Sequence, residues 1–245
     1  MRRILGGIAL AGLVLALGAG TARAQIYNMP VFFSPAFGTG VGIYGDFGTG
    51  LNDDTKVFGV DTAPQTIGGH AVLGLSKFTI LAGIGSVNTK VDGADKELSY
   101  GGNLGLTIYR SPASMVVFNV QAGAGYVKFG EGALETKQWN FPIGVGISLD
   151  LPVVGWFVEP WIAPRVHVFN TTVGTGESNT DVGFGVSGGL NANLLLGIGA
   201  WAALDWLTIT PEGAAESIKP LILGAGLSWK FSVPGLGMAS GLVGG

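Results

Sequence analysis

The sequence contains no cysteine. A disulfide, a thiolate metal site and a cysteine nucleophile are therefore excluded, whatever compartment the chain occupies. Charge is scarce as well. Only 12% of the 245 residues are Asp, Glu, Lys or Arg, where about 25% is ordinary for a soluble globular protein. A water-exposed surface this poor in charge is hard to keep solvated. Histidine occurs twice, as His70 and His167, and one histidine on each of two distant segments argues against a zinc site. Long apolar runs are missing too. Beyond residue 24 none approaches the roughly 20 residues that a membrane helix needs. Yet 47% of the chain is hydrophobic. A chain that enters lipid without a spanning helix has one other way to satisfy its backbone, a closed β-barrel.

What is present agrees with that exclusion. Arg2 and Arg3 precede an uncharged run from Ile4 to Gly20, and Ala22-Arg23-Ala24 supplies a small-x-small end. This is the layout of a secretory signal, with cleavage expected before Gln25. Removing residues 1–24 leaves ten basic against 16 acidic residues, a net charge of −6, which disfavours nucleic acid as a partner. The 44 glycines are not spaced as in collagen.

The remainder divides into segments of about 11 to 14 residues with period-2 alternation, the pattern of strands with two unlike faces. Phe37, Thr39, Val41, Ile43 and Phe47 share one face, against Gly38, Gly40, Gly42, Tyr44 and Asp46. Trp139, Phe141, Ile143, Val145, Ile147 and Leu149 alternate with Asn140, Pro142, Gly144, Gly146 and Ser148. Ten strands are expected, at 37–47, 66–75, 78–88, 98–110, 115–128, 138–150, 156–168, 181–194, 198–209 and 220–231, with eight or twelve as the alternatives. Val57 to Ala63 is either the upper half of the second strand or a separate piece. Long polar connections (48–65, 88–97, 128–137, 169–180, 210–219) alternate with tight ones (76–77, 111–113, 151–155, 195–197). The expected fold is an all-β, antiparallel up-and-down transmembrane β-barrel over 37–231. A periplasmic segment, 25–36, precedes it and a disordered tail, 232–245, follows.

Aromatic residues fall near the predicted strand ends. Phe47, Tyr100, Tyr126, Trp139, Phe184 and Trp206 lie at the long-loop rim, and Phe37, Phe78, Trp156, Trp229 and Phe231 at the short-turn rim. Two girdles with an aliphatic band between them are what the two membrane interfaces select. Pro142, Pro160 and Pro164 sit inside predicted strands. A closed wall has no edge to hide a missing N–H, so bulges are expected there.

The last predicted strand reads Gly226-Leu-Ser-Trp229-Lys-Phe231. It resembles the C-terminal β-signal of bacterial outer-membrane proteins: a glycine, an aromatic after two intervening residues, and a second aromatic two positions further on. The whole layout is similar to the small bacterial outer-membrane β-barrel proteins, many of them of unassigned function. The resemblance implies a porin-like place in an envelope with an outer membrane. It also implies contact with outer-membrane lipid and lipopolysaccharide, and recognition of Gly226, Trp229 and Phe231 by the barrel-assembly machinery. One departure is that 14 residues follow Phe231, whereas the family ends on the aromatic.

Strand parity sends few polar groups into the expected lumen: Glu159, Arg165, His167, His70, Asp205, Asn103 and Gln121, with Asn119, Asn191, Asn193, Trp161 and Trp201 beside them. Asp46 and Lys128 are placed towards the loop rim. A catalytic reading would use His167 or His70 as base with Glu159 or Asp205 orienting it. No serine stands in a convincing relation to them, so no residue is given a catalytic role and no enzyme, cofactor or metal is expected. A polar network is the better reading, because isolated charges in a narrow barrel must be paired. Glu159 with Arg165 is one such expected pair. The function expected is structural or surface contact around a largely filled lumen. A narrow passive channel or small-ligand transporter is the alternative, and a rim-site enzyme is the remote one. The inward glycines have two readings, room for strand curvature and packing, or a water-filled path.

Overall fold

The computed structural model describes residues 29, 34, 35, 37–56, 60–91, 93–111, 115–131, 135–194 and 196–232. The expected signal sequence, most of 25–36, residues 57–59 and the tail from 233 lie outside the described residues.

Eleven strands follow one another: β1 (Gly40–Gly50), β2 (Gln65–Leu75), β3 (Phe78–Asn88), β4 (Glu97–Arg110), β5 (Val116–Phe129), β6 (Thr136–Leu149), β7 (Leu151–Val153), β8 (Trp156–Val173), β9 (Ser178–Leu194), β10 (Ile198–Ile209) and β11 (Leu221–Phe231). β7 carries on the line of β6 past Asp150 and pairs with the start of β8 in the same register, so the wall has ten staves. Each pairs antiparallel with its neighbours in sequence, and β1 pairs with β11 from Val41–Phe231 to Gly50–Ile222. Closure removes every sheet edge, so the wall can face hydrocarbon without exposing unpaired backbone.

The register fixes the tilt. Stepping across paired residues from Tyr44 through β2 to β6 leads to Phe169 on β8. Stepping the other way, through β11, β10 and β9, leads to Phe157. That stagger of 12 residues around ten strands corresponds to a tilt of about 40°. An 11-residue strand such as β2 then rises about 28 Å, enough to cross the hydrocarbon layer.

The outward face is apolar along this rise. Ile67 is 69% exposed, Leu104 61%, Ile143 61% and Leu227 70%. Aromatics mark both rims. Tyr100, Tyr126 and Trp139 are successive cross-strand neighbours on β4, β5 and β6, with ring centroids 5.2 and 4.9 Å apart. Trp229 and Phe231 stand 5.1 Å apart at the opposite rim.

Four expectations are corrected. Phe37 does not join the short-turn girdle. β1 starts at Gly40, and Gly38 and Gly40 have φ of 74° and 144°, which L side chains resist; Phe37 lies half-buried at the inner mouth. Lys128 faces outward, where its side chain meets Glu135 at 3.3 Å, while Val127 and Phe129 are buried. The hairpin expected as a loop at 169–180 is mostly strand, turning only at residues 174–177. The prolines cause no bulge. Pairing of β8 with β9 runs through Pro160 and Pro164 without a shift. Pro142 pairs with His167, and the ladder to β5 merely opens beside it. A residue in an antiparallel ladder bonds to one neighbour only, so a proline can leave a gap on that side and keep its register on the other. A register shift does occur between Thr107 and Tyr109 of β4, at the short-turn end.

Candidate functional site

Because alternate residues of every stave point inward, the lumen is the site where polar chemistry converges. Inward positions of β8 run Glu159, Trp161, Ala163, Arg165, His167, Phe169 and Thr171, all buried.

The first group joins β6, β8, β9 and β10. Arg165 places one terminal nitrogen 2.6 Å from Asp205 Oδ1 and the other 2.6 Å from Ser187 Oγ. Ser187 accepts that bond and donates its own proton to Asp205 Oδ2 at 2.7 Å. The third guanidinium edge, Nε, donates to His167 Nε2 at 2.5 Å, and His167 Nδ1 lies 3.0 Å from Asn140 Oδ1. Nε2 must accept here, so the proton sits on Nδ1 and is donated to Asn140, which assigns a neutral imidazole. Arg165 is 2% exposed and Asp205 0%. A charge pair this deep survives only when its remaining donors and acceptors are also met. Gly185 makes room for it. A Cβ there would come within 2.9 Å of the Arg165 terminal nitrogen.

A second group lies on β1 and β2. Asp46 Oδ2 bonds His70 Nδ1 at 2.5 Å, and the Tyr44 ring stacks on His70 at 4.1 Å. The third is an amide chain on β4 and β5. Asn103 donates to Gln121 Oε1, and Gln121 donates to Asn119 Oδ1, both at 3.1 Å.

Between them the interior is apolar. Tyr44, Val72, Leu81, Trp161, Ala163, Trp201 and Ala203 form one cluster, with Phe37 packed against it. Its members come from β1, β2, β3, β8 and β10, and β2 and β8 are five staves apart either way round. Gly226 opens space for the Trp201 indole, whose Nε1 would stand 2.5 Å from a Cβ there. A cavity of about 40 Å³ lies on the short-turn side of this cluster. Among its lining residues are His70, Asn103, Asn119, Gln121, Glu159 and Asn191.

All seven candidate lumen residues are thus inside the wall, but not in one network. Arg165, His167 and Asp205 meet; Asn103 and Gln121 meet; His70 pairs with Asp46. Glu159 is not the partner of Arg165. The two are six residues apart on one continuous strand, about 20 Å along it, beyond the combined reach of both side chains. Ser187 and Asn140 were missed as network members. Both carry inward parity, but only register brings them beside Arg165 and His167. Gly226, Trp229 and Phe231 all lie on β11, with Trp229 and Phe231 outward.

At the loop rim, Glu135 lies 2.7 Å from Lys137 and 3.3 Å from Lys128. Hydrogen bonds from Lys137 and then Lys128 hold its carboxyl below the ordinary range. Asp53 is lowered likewise by its bond to Lys56. Among the described residues no three His, Asp or Glu side chains gather as metal ligands.

A closed ten-stave barrel with an apolar exterior, aromatic rims and polar networks inside its wall is an outer-membrane β-barrel. No protein-family model matches the sequence, and no curated protein matches it. Solved structures do resemble it. The Neisserial surface protein A is 14% identical, covering 79% of this chain and 98% of its own, with a TM-score of 0.42. The β domain of the Bordetella autotransporter BrkA is 11% identical, covering 78% and 100%, with a TM-score of 0.49. The outer membrane protease OmpT of Escherichia coli is 11% identical, covering 82% and 98%, with a TM-score of 0.40. These likenesses carry no argument about activity, and the class rests on the barrel's own closure and exterior.

Proposed function

We propose that this outer-membrane barrel serves as a structural and surface-contact element whose lumen does not pass solutes. The observation that carries this reading is the apolar cluster of Tyr44, Val72, Leu81, Trp161 and Trp201, which spans from one wall to the opposite one. An ion crossing it would exchange its hydration shell for one phenol and two indole N–H groups among apolar side chains, far too little to offset the loss. On the loop side of it Arg165 and Ser187 serve Asp205, and on β1 and β2 His70 serves Asp46. The loop rim is also tied together. Asn52 Nδ2 donates to the Lys219 carbonyl at 2.8 Å, and the Lys219 N–H donates to Asp54 at 2.8 Å. Loops held in one shape suit contact with a neighbouring surface better than free ones.

The test is single-channel recording in planar bilayers. The wild-type barrel is expected to give no resolved steps. Steady steps from the wild type, lost on blocking the lumen, would replace this reading with the narrow channel.

A further inference from the structure

We propose that the short-turn mouth of the barrel is a binding pocket for a small zwitterion with an apolar body, of the chemistry of an amino acid such as leucine. The inference goes beyond the closed-lumen reading and does not depend on it. A ligand seated in the mouth neither needs nor supplies a path through the apolar cluster.

A cavity of about 360 Å³ opens at this mouth, within the roughly 300–1,000 Å³ typical of small-molecule sites. Alternation turns its lining side chains inward at the strand ends. Met115 lies two residues before buried Val117, Asp150 two after buried Ser148, and Lys230 two after buried Ser228. Met115, Pro152 and Phe157 give the cavity an apolar wall. Its charged groups are of both signs. Glu159 is 6% exposed and, with Lys230, lines both this cavity and the smaller, deeper one. The Lys230 ammonium stands 5.4 Å from the centre of the Phe37 ring, and among the described residues it joins no ion pair. Asp150, by contrast, faces Arg110 at 4.0 Å. Asn193 is the group that asks for a ligand. It is 8% exposed, it lines the cavity, and its Oδ1 accepts no hydrogen bond among the described residues. An acceptor this deep is costly to leave unmet. Gly199 keeps the space for it, since a Cβ there would collide with that oxygen. A ligand ammonium set against Glu159 and the Asn193 oxygen, a carboxylate on Lys230 and a side chain against Met115 and Phe157 answer all of these groups together. A simple cation would leave Lys230 without a counter-charge. A simple anion would leave the Asn193 oxygen unmet and place a negative charge beside Glu159.

The scarcity of methionine, four in the chain, makes Met115 a local reporter. The full barrel is folded into phospholipid nanodiscs with its methionine methyls labelled with carbon-13, and the Met115 resonance is followed during titration. Three probes share one apolar body: L-leucine, 3-methylbutan-1-amine with the ammonium only, and 4-methylpentanoate with the carboxylate only. Leucine should shift the Met115 methyl along a saturating curve. Each single-charge probe should bind weaker by on the order of ten-fold or more, because each forfeits one charge-assisted contact. No saturable shift with leucine would overturn the inference, and so would an amine or a carboxylate that binds as well as leucine. Lys230→Gln and Glu159→Gln should each weaken leucine by a similar factor of about ten. Lys77→Gln, on an exposed short turn of the same rim, should leave it unchanged. Leucine binding that survives Lys230→Gln in full, or that falls equally with Lys77→Gln, counts against the pocket. Should Glu159→Gln fail to fold, the comparison of leucine with 4-methylpentanoate tests the ammonium contact on the unaltered chain.

Discussion

Asp205 shows how much a single side chain carries in this lumen. It accepts bonds from Arg165 and Ser187 while fully buried. Asp205→Ala leaves the guanidinium buried without a counter-charge, and the expected loss is about 3–5 kcal/mol. The double variant Arg165→Met/Asp205→Leu removes both charges and should recover most of it, since an apolar pair of similar volume is often neutral there. Urea unfolding in vesicles, followed by tryptophan fluorescence, measures both. A double variant as unstable as the single would mean the network's worth lies in the bonds themselves rather than in avoiding a lone charge. The residue-level content of the site was partly legible. Alternation alone put Arg165, His167 and Asp205 on the inner face. Their partnership was not legible, because it depends on β8, β9 and β10 lying side by side in one register. The mistaken Glu159–Arg165 pair has the same origin. Sequence proximity was read as spatial proximity, and a strand separates its residues by about 3.3 Å each.

At the scale of the strand, the two faces obey different rules. Leu104 lies outward on β4 between Ile80 and Ala122. Leu104→Arg puts a cation in the hydrocarbon band and should cost about 2–4 kcal/mol, whereas Leu98→Arg, on the same outward face beyond Tyr100 at the loop end of β4, should cost about 0–1. Folding titrations from urea into vesicles test the contrast, and equal costs would mean the band is misplaced along the strands. The same depth dependence explains the one hairpin misread. Above the hydrocarbon, β8 and β9 continue with Asn170, Thr171, Thr172, Ser178 and Thr180. Both faces carry polar side chains there and the apolar–polar alternation vanishes, although cross-strand bonds such as Thr172 to Ser178 at 2.7 Å hold the strands together. Pattern reading therefore ends a strand where the membrane ends, not where the ladder does.

For the molecule as a whole, closure couples the exterior to the interior. Ten staves at a stagger of 12 residues give a backbone radius of about 10 Å, so inward side chains from opposite walls can meet. Val72 of β2 and Trp161 of β8, five staves apart, share one packed cluster. In cell fractionation the protein should stay with the outer membrane until detergent is added, and the folded barrel should run faster on unheated than on heated denaturing gels. Recovery in the soluble fraction without detergent would sink the membrane assignment.

By itself the sequence determined the wall. Strand length, face polarity, turn alternation and aromatic rims are local properties, repeated ten times, and each repeat is read without knowing the others. Tertiary structure alone decided the lumen. Which inward groups become partners depends on register summed around a closed circuit, and whether the passage is blocked depends on side chains from strands far apart in the chain. The seating of Phe37 is the sharpest case. Alternation assigned it to lipid, and two glycines with positive φ turned it towards the barrel mouth.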